Sequence, residues 1–158
     1  MIALYEKFGK HAPISGINTN VNKRTYLFFT TIKAETSNSR GTRTIMGSCS
    51  ADKNYNSSGV LTSITWGNAY IIYSTALSSR RTVLHEGAHS FSLTHTFQEG
   101  TIVSPHIFYK GFIDNIMDYV NQTGVRARNP FEANDKMNCF FKWQWDLMRT
   151  DRSLILNY

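Results

Sequence analysis

His85, Glu86, His89 and His95 are the residues of this chain whose types and spacing can do chemistry. Histidines at i and i+4 of a helix stand one turn apart on one side, where both imidazoles reach a single Zn²⁺ at about 2.0–2.1 Å. The glutamate between them points near that metal without sharing its direction, as a general base for metal-activated water must. A straight helix would carry the third histidine about 9 Å further along the axis, so the chain has to turn sharply between His89 and His95. The competing reading is that these are ordinary helix-surface or core histidines. Random placement of five His and five Glu over 158 positions, however, yields this pattern on the order of once in ten thousand chains. The pattern therefore points to a catalytic zinc site. Should His95 fail as third ligand, Glu99 is the residue to replace it. His11 and His106 lack any metal-partner spacing and are expected at the surface.

Such a site needs a helix. Ser78 and Ser79 are good N-cap residues, and the helix is expected to run to about Phe91. At about 100° per residue, Val83, Leu84, Gly87, Ala88 and Phe91 share one arc, expected to be buried, with His85, Glu86 and His89 opposite. Upstream, residues 25–32 are rich in β-branched and aromatic types and read as a strand. Residues 44–49 read as a second strand, 50–59 as a polar loop, and 60–66 and 69–75 as two strands around Gly67-Asn68, a turn or bulge signal. A short helix is expected over residues 2–10 and an irregular segment over 96–114. A last helix should begin at Pro130, with Met137, Phe140, Phe141, Trp145 and Met148 as its core face. The fold class is α/β of the α+β kind, a mixed sheet followed by helices. The length suits one domain, residues 1–158.

The composition, 41% hydrophobic and 18% charged with no apolar run near 20 residues, excludes a membrane-spanning helix and fits a globular domain. The +6 charge and pI of 9.4 come from scattered basic residues, so nucleic acid is not an expected partner. The first residues lack the pattern of a secretory signal. Cys49 and Cys139 are in no metal or redox spacing, and either pairing or free thiols fit.

With these residues in view, the chain resembles the metzincin clan of zinc peptidases, whose signature is H-E-x-x-H-x-x-G-x-x-H with a downstream methionine turn. The signature here is His85, Glu86, His89, Ser92 and His95, and Asn115-Ile-Met-Asp-Tyr119 looks like the methionine turn. Leu93-Thr-His-Thr-Phe97 and the turn are most similar to the pappalysin-like branch. The resemblance covers residues 60–120. It implies a zincin-like fold, with an upper sheet and active-site-helix subdomain (1–91) and a lower methionine-turn and C-terminal-helix subdomain (92–158). Ser92 departs from the family glycine, and a left-handed turn there costs a non-glycine residue about 1–2 kcal/mol. The front also departs: only about nine residues are left for the family's long backing helix, as in a module of a larger polypeptide.

The resemblance assigns Met117 to an apolar floor beneath the imidazoles. Tyr119 is either a donor to the developing oxyanion or a core aromatic. Asp118 orients either its own loop or a ligand imidazole. The implied activity is that of a zinc endopeptidase with one Zn²⁺ on His85, His89 and His95, Glu86 as base, and peptides or proteins as substrates. Ala69, Tyr70, Ile71 and Ile72 are expected to form the sheet edge that pairs with an extended substrate. Val120 and Asn121 are expected to wall the pocket beyond the cut. Rival readings are a zinc amidase acting on cell-wall peptides and a metallopeptidase toxin delivered by a bacterial secretion system. A structural zinc site, by contrast, would favour cysteine ligands. A secreted or exported location suits either peptidase reading.

Overall fold

In the computed structural model, which describes residues 25–39, 41–102, 106–111, 113–119 and 139–150, the apolar run after Thr25 forms strand β1 (Tyr26–Phe29). It is followed by β2 (Ala34–Asn38), β3 (Gly41–Ile45), β4 (Gly47–Tyr55), β5 (Leu61–Ile72), a 3-10 turn (Ser74–Ala76), helix α1 (Arg80–Ser90) and helix α2 (Lys142–Arg149). The class is mixed α/β with a twisted mixed sheet. The order of that sheet is β1-β5-β4, with β1 parallel and β4 antiparallel to β5, and β2 and β3 form a separate hairpin. The expected helix over 2–10 and the segment 120–138, which includes Val120, Asn121, Pro130 and Met137, lie outside the described residues, as does His11.

Several expectations are corrected. Residues 50–55 are strand, not loop, and the turn is confined to residues 56–60, where the Asn56 side chain accepts from the N–H groups of Ser58 and Val60 at 3.0 and 2.9 Å. The second half of β4 is exposed, so its polar residues carry no burial pattern to read. Residues 60–66 and 69–75 are not two strands, because β5 runs unbroken through Gly67-Asn68. The glycine marks a bulge: between the pairs Trp66↔Ala51 and Tyr70↔Cys49, three β5 residues oppose Ser50 alone. The hairpin of β2 was not expected, since its residues are polar and mostly exposed. Most important for the site, Ala69, Tyr70, Ile71 and Ile72 are not an edge. All four pair with Tyr26–Phe29 on one side, and on the other Tyr70, Ile71 and Ile72 pair with β4 while the Ala69 N–H donates to the Ser50 hydroxyl at 3.4 Å.

Helix α1 starts where expected, with Ser79 accepting from the Thr82 N–H at 3.2 Å. Its burial departs from the apolar-arc expectation. Leu84 is 50% exposed, whereas His85, Glu86 and every residue to Ser90 are buried, facing the sheet and the methionine turn. Polar groups there find polar partners, which removes the usual cost of burying them. Behind the helix, Ala88, Leu93, Ile116, Met117 and Met148 form one apolar cluster.

Helix α2 begins at Lys142 and cannot continue one started at Pro130, because Phe141 is extended at φ −74 and ψ 157. The Gln144 side chain holds that turn open by accepting from the Phe141 N–H at 2.8 Å. Met148 is core as expected, but Trp145 is largely exposed. Both cysteines are free. No helix among the described residues is long and apolar enough to cross a membrane.

Candidate metal centre

The turn required between His89 and His95 is made at Ser92. This residue has φ 68, the only positive φ among described non-glycine residues. The Ser92 N–H donates to His89 O at 2.9 Å and the Leu93 N–H to Ala88 O at 3.1 Å, the paired bonds of a Schellman helix end. The chain then doubles back, and the Thr96 N–H donates to Met117 O at 3.3 Å.

His85, His89 and His95 consequently converge, all buried, with one ligand nitrogen from each lying within 4.8 Å of the others. Each ring is oriented through Nδ1. That of His85 faces Ile116 O at 2.7 Å, that of His89 faces Leu93 O at 2.6 Å, and that of His95 faces Glu99 Oε2 at 2.7 Å. A carbonyl or carboxylate only accepts, so every Nδ1 carries its proton and each ring turns its Nε2 toward the other two. The three Nε2 atoms meet: His89 and His95 Nε2 are 3.2 Å apart, as are His95 and His85 Nε2. Burial drives the His85 pKa down to about 3 and that of His89 well below its usual value, so these two rings are neutral near pH 7 and present Nε2 lone pairs. Three imidazole nitrogens facing one point could hold a metal ion. Tetrahedral ligands at about 2.1 Å would stand about 3.4 Å apart, close to the spacing found.

Glu99 is not a ligand, since it lies on the Nδ1 side of His95, away from the convergence point. It orients that ring instead, as carboxylates behind metal-binding histidines do. Its position four residues after His95 was the one available sequence signal. Aromatic rings wall the triad, and of these Trp66 and Phe97 were given no site role by the sequence. Trp66 stacks on His89 at 3.9 Å, Phe97 on His95 at 4.7 Å, and Tyr119 packs edge-on to His95 at 4.6 Å.

Glu86 is buried beside the triad, and burial pushes its carboxyl up to about 7 against an opposing bond from the Cys49 N–H. Gly47, the first residue of β4, makes room for it: a Cβ there would meet Glu86 Cγ at 2.6 Å and Oε1 at 3.0 Å. Cys49 comes close through the sheet, but its thiol turns to the Gly67 carbonyl at 3.6 Å, and burial raises its pKa to about 12.

The methionine turn is built from polar locks. The Asn115 side-chain oxygen accepts from the Met117 N–H at 2.9 Å, and its amide nitrogen donates to Gln144 at 2.7 Å, so α2 is bolted to the turn. Met117 is fully buried against Ala88 and Leu93. Of the two roles open to Asp118, the loop is the one observed. Its carboxylate accepts from the N–H groups of Gly111, Ile113 and Tyr119 at 2.6, 3.2 and 2.7 Å. The Arg81 guanidinium bonds the Asp118 carbonyl and ties α1 to the turn. Burial raises the Tyr119 pKa well above the usual phenol range, so its hydroxyl stays a donor. His106 is exposed against Trp143.

Comparison of the chain with protein-family models, with curated proteins and with solved structures finds no match.

Proposed function

We propose that the chain is a zinc endopeptidase of the metzincin kind. The observation that carries this reading is the convergence of three Nε2 atoms, each ring fixed by a bonded Nδ1, with a buried glutamate beside them. Three histidines without a fourth protein ligand among the described residues match a catalytic rather than a structural zinc site. A zinc ion held there supplies Lewis acidity, which lowers the pKa of water from 15.7 towards about 7 and polarises a substrate carbonyl.

The chain's own residues would do the rest. Glu86, with a carboxyl pKa near neutrality, takes a proton from the attacking water and hands it to the leaving amine. Tyr119, protonated and packed against His85 and His95, donates to the oxyanion. Trp66 and Phe97 hold the ligand rings in place and exclude water. Because β5 is interior, the strand offered to an extended peptide is β4, the terminal strand of the sheet among the described residues, whose first residue borders Glu86.

The test is digestion of a mixed peptide library, with cell-wall peptides included, by the zinc-loaded chain and by Glu86→Gln. The reading expects cleavage by the former alone, with one zinc per chain in both. Equal cleavage by the two proteins would end it, and cleavage of cell-wall peptides alone would turn it to the amidase reading.

A further inference from the structure

Beside His95 the surface opens into a cleft of about 1000 Å³, walled by Phe97, Ile107, Phe108 and Tyr109, with Glu99 and Lys110 as its charged residues. It lies against the third histidine, since Phe97 stacks on the His95 ring and Glu99 bonds its Nδ1. The Lys110 ammonium lies 4.6 Å from the Phe97 ring and 4.4 Å from the Tyr119 ring, and Tyr119 is 4.6 Å from His95. No more than about 9 Å therefore separates this cation from a ligand imidazole. That is within one side chain's reach of a bond cut at the metal.

Nearby acids are already engaged. Glu99 holds His95 Nδ1 at 2.7 Å, and the fully buried Asp118 accepts from three backbone N–H groups. Half-burial between two rings lowers the Lys110 pKa, with Arg43 adding repulsion, and this outweighs the pull of Glu99 and of Asp118. A second cation, Lys53, acts on Glu99 and His89 from β4. An ammonium that has given up water gains a charge-assisted hydrogen bond from a carboxylate that arrives.

We propose that this cleft receives the side chain of a substrate residue next to the cut bond and that Lys110 selects an acidic one, so the substrates are acidic peptides. The apolar walls take the methylenes of a glutamate, and the ammonium takes its carboxylate. The inference rests on the peptidase reading and names its substrate class.

The test uses three peptide hydroxamates, whose metal-binding group fixes the register. They differ only in carrying Glu, Gln or Lys next to that group, and their binding to the zinc-loaded chain is measured by calorimetry. The Glu ligand is expected to bind about five- to tenfold tighter than the Gln ligand and tighter still than the Lys ligand. Lys110→Arg should keep that order, Lys110→Met should equalise Glu and Gln, and Lys110→Glu should favour the Lys ligand, each variant retaining one zinc. Equal binding of Glu and Gln by the unmodified chain, or a Glu preference that survives in Lys110→Met, would overturn the inference while leaving the zinc site standing. Failure of all three ligands to bind a chain that holds zinc would remove the peptidase reading and the inference with it.

Discussion

Replacing Ser92 by glycine should leave the fold unchanged or make it more stable. Ser92 is the first residue beyond the α1 cap and sits at φ 68, and both bonds of the Schellman turn depend on that conformation. A Cβ in the left-handed region costs about 1–2 kcal/mol, which glycine removes. Glycine in turn adds disorder to the unfolded chain worth about 0.4–1 kcal/mol. The balance is a gain of up to about 1 kcal/mol, or a rise in Tm of about 2–4 °C for a chain of this length. Urea unfolding of the zinc-loaded proteins measures it, with Ser92→Ala as the control that keeps the Cβ. Destabilisation of Ser92→Gly by more than about 1 kcal/mol would refute the backbone account and reopen the path by which His95 reaches the other two histidines.

Glu99→Ala should weaken zinc binding about 10- to 100-fold in a chelator competition, because it frees His95 to rotate, and Glu99→Gln should weaken it less. Gly47→Ala should cut peptide hydrolysis far more than it cuts zinc content, since the atoms nearest the new Cβ belong to Glu86 and Thr82. For the metal-free chain, pH acts through three buried groups. Between pH 5 and 6 the unfolded chain binds protons on His85 and His89 that the folded chain refuses, while folded Glu86 keeps a proton that the unfolded chain releases. Two rising contributions against one falling one leave stability increasing with pH by about 1.4 kcal/mol per unit, and Glu86→Gln should about double that slope in urea unfolding. A flat or falling profile over this range would contradict the assignment of these groups as buried and neutral.

The centre was legible in the sequence to the extent that its geometry is local. His85 and His89 are one helical turn apart, and the left-handed Ser92 follows from the need to bring His95 back. Sheet order is not local, so the sequence could mark residues 69–72 as strand but not show that β1 and β4 flank them. The polar half of β4 was hidden for a related reason, because strand patterning depends on one face being buried and that half buries neither. Burial of α1 was misread because partners distant in sequence satisfy its polar face. His85 bonds the Ile116 carbonyl 31 residues away, while Leu84 is left exposed. The Asn115–Gln144 amide pair and the Trp66 ring on His89 have no spacing signal at all, since each joins elements separated by loops.

X-ray absorption at the zinc edge of the loaded chain is the measurement closest to the central claim. The account predicts one zinc per chain, bound by three imidazole nitrogens at about 2.0–2.1 Å with oxygen from solvent completing the shell, and the same spectrum in Glu86→Gln. A sulfur neighbour at about 2.3 Å, a shell filled by four protein ligands, or less than one zinc per chain would contradict it.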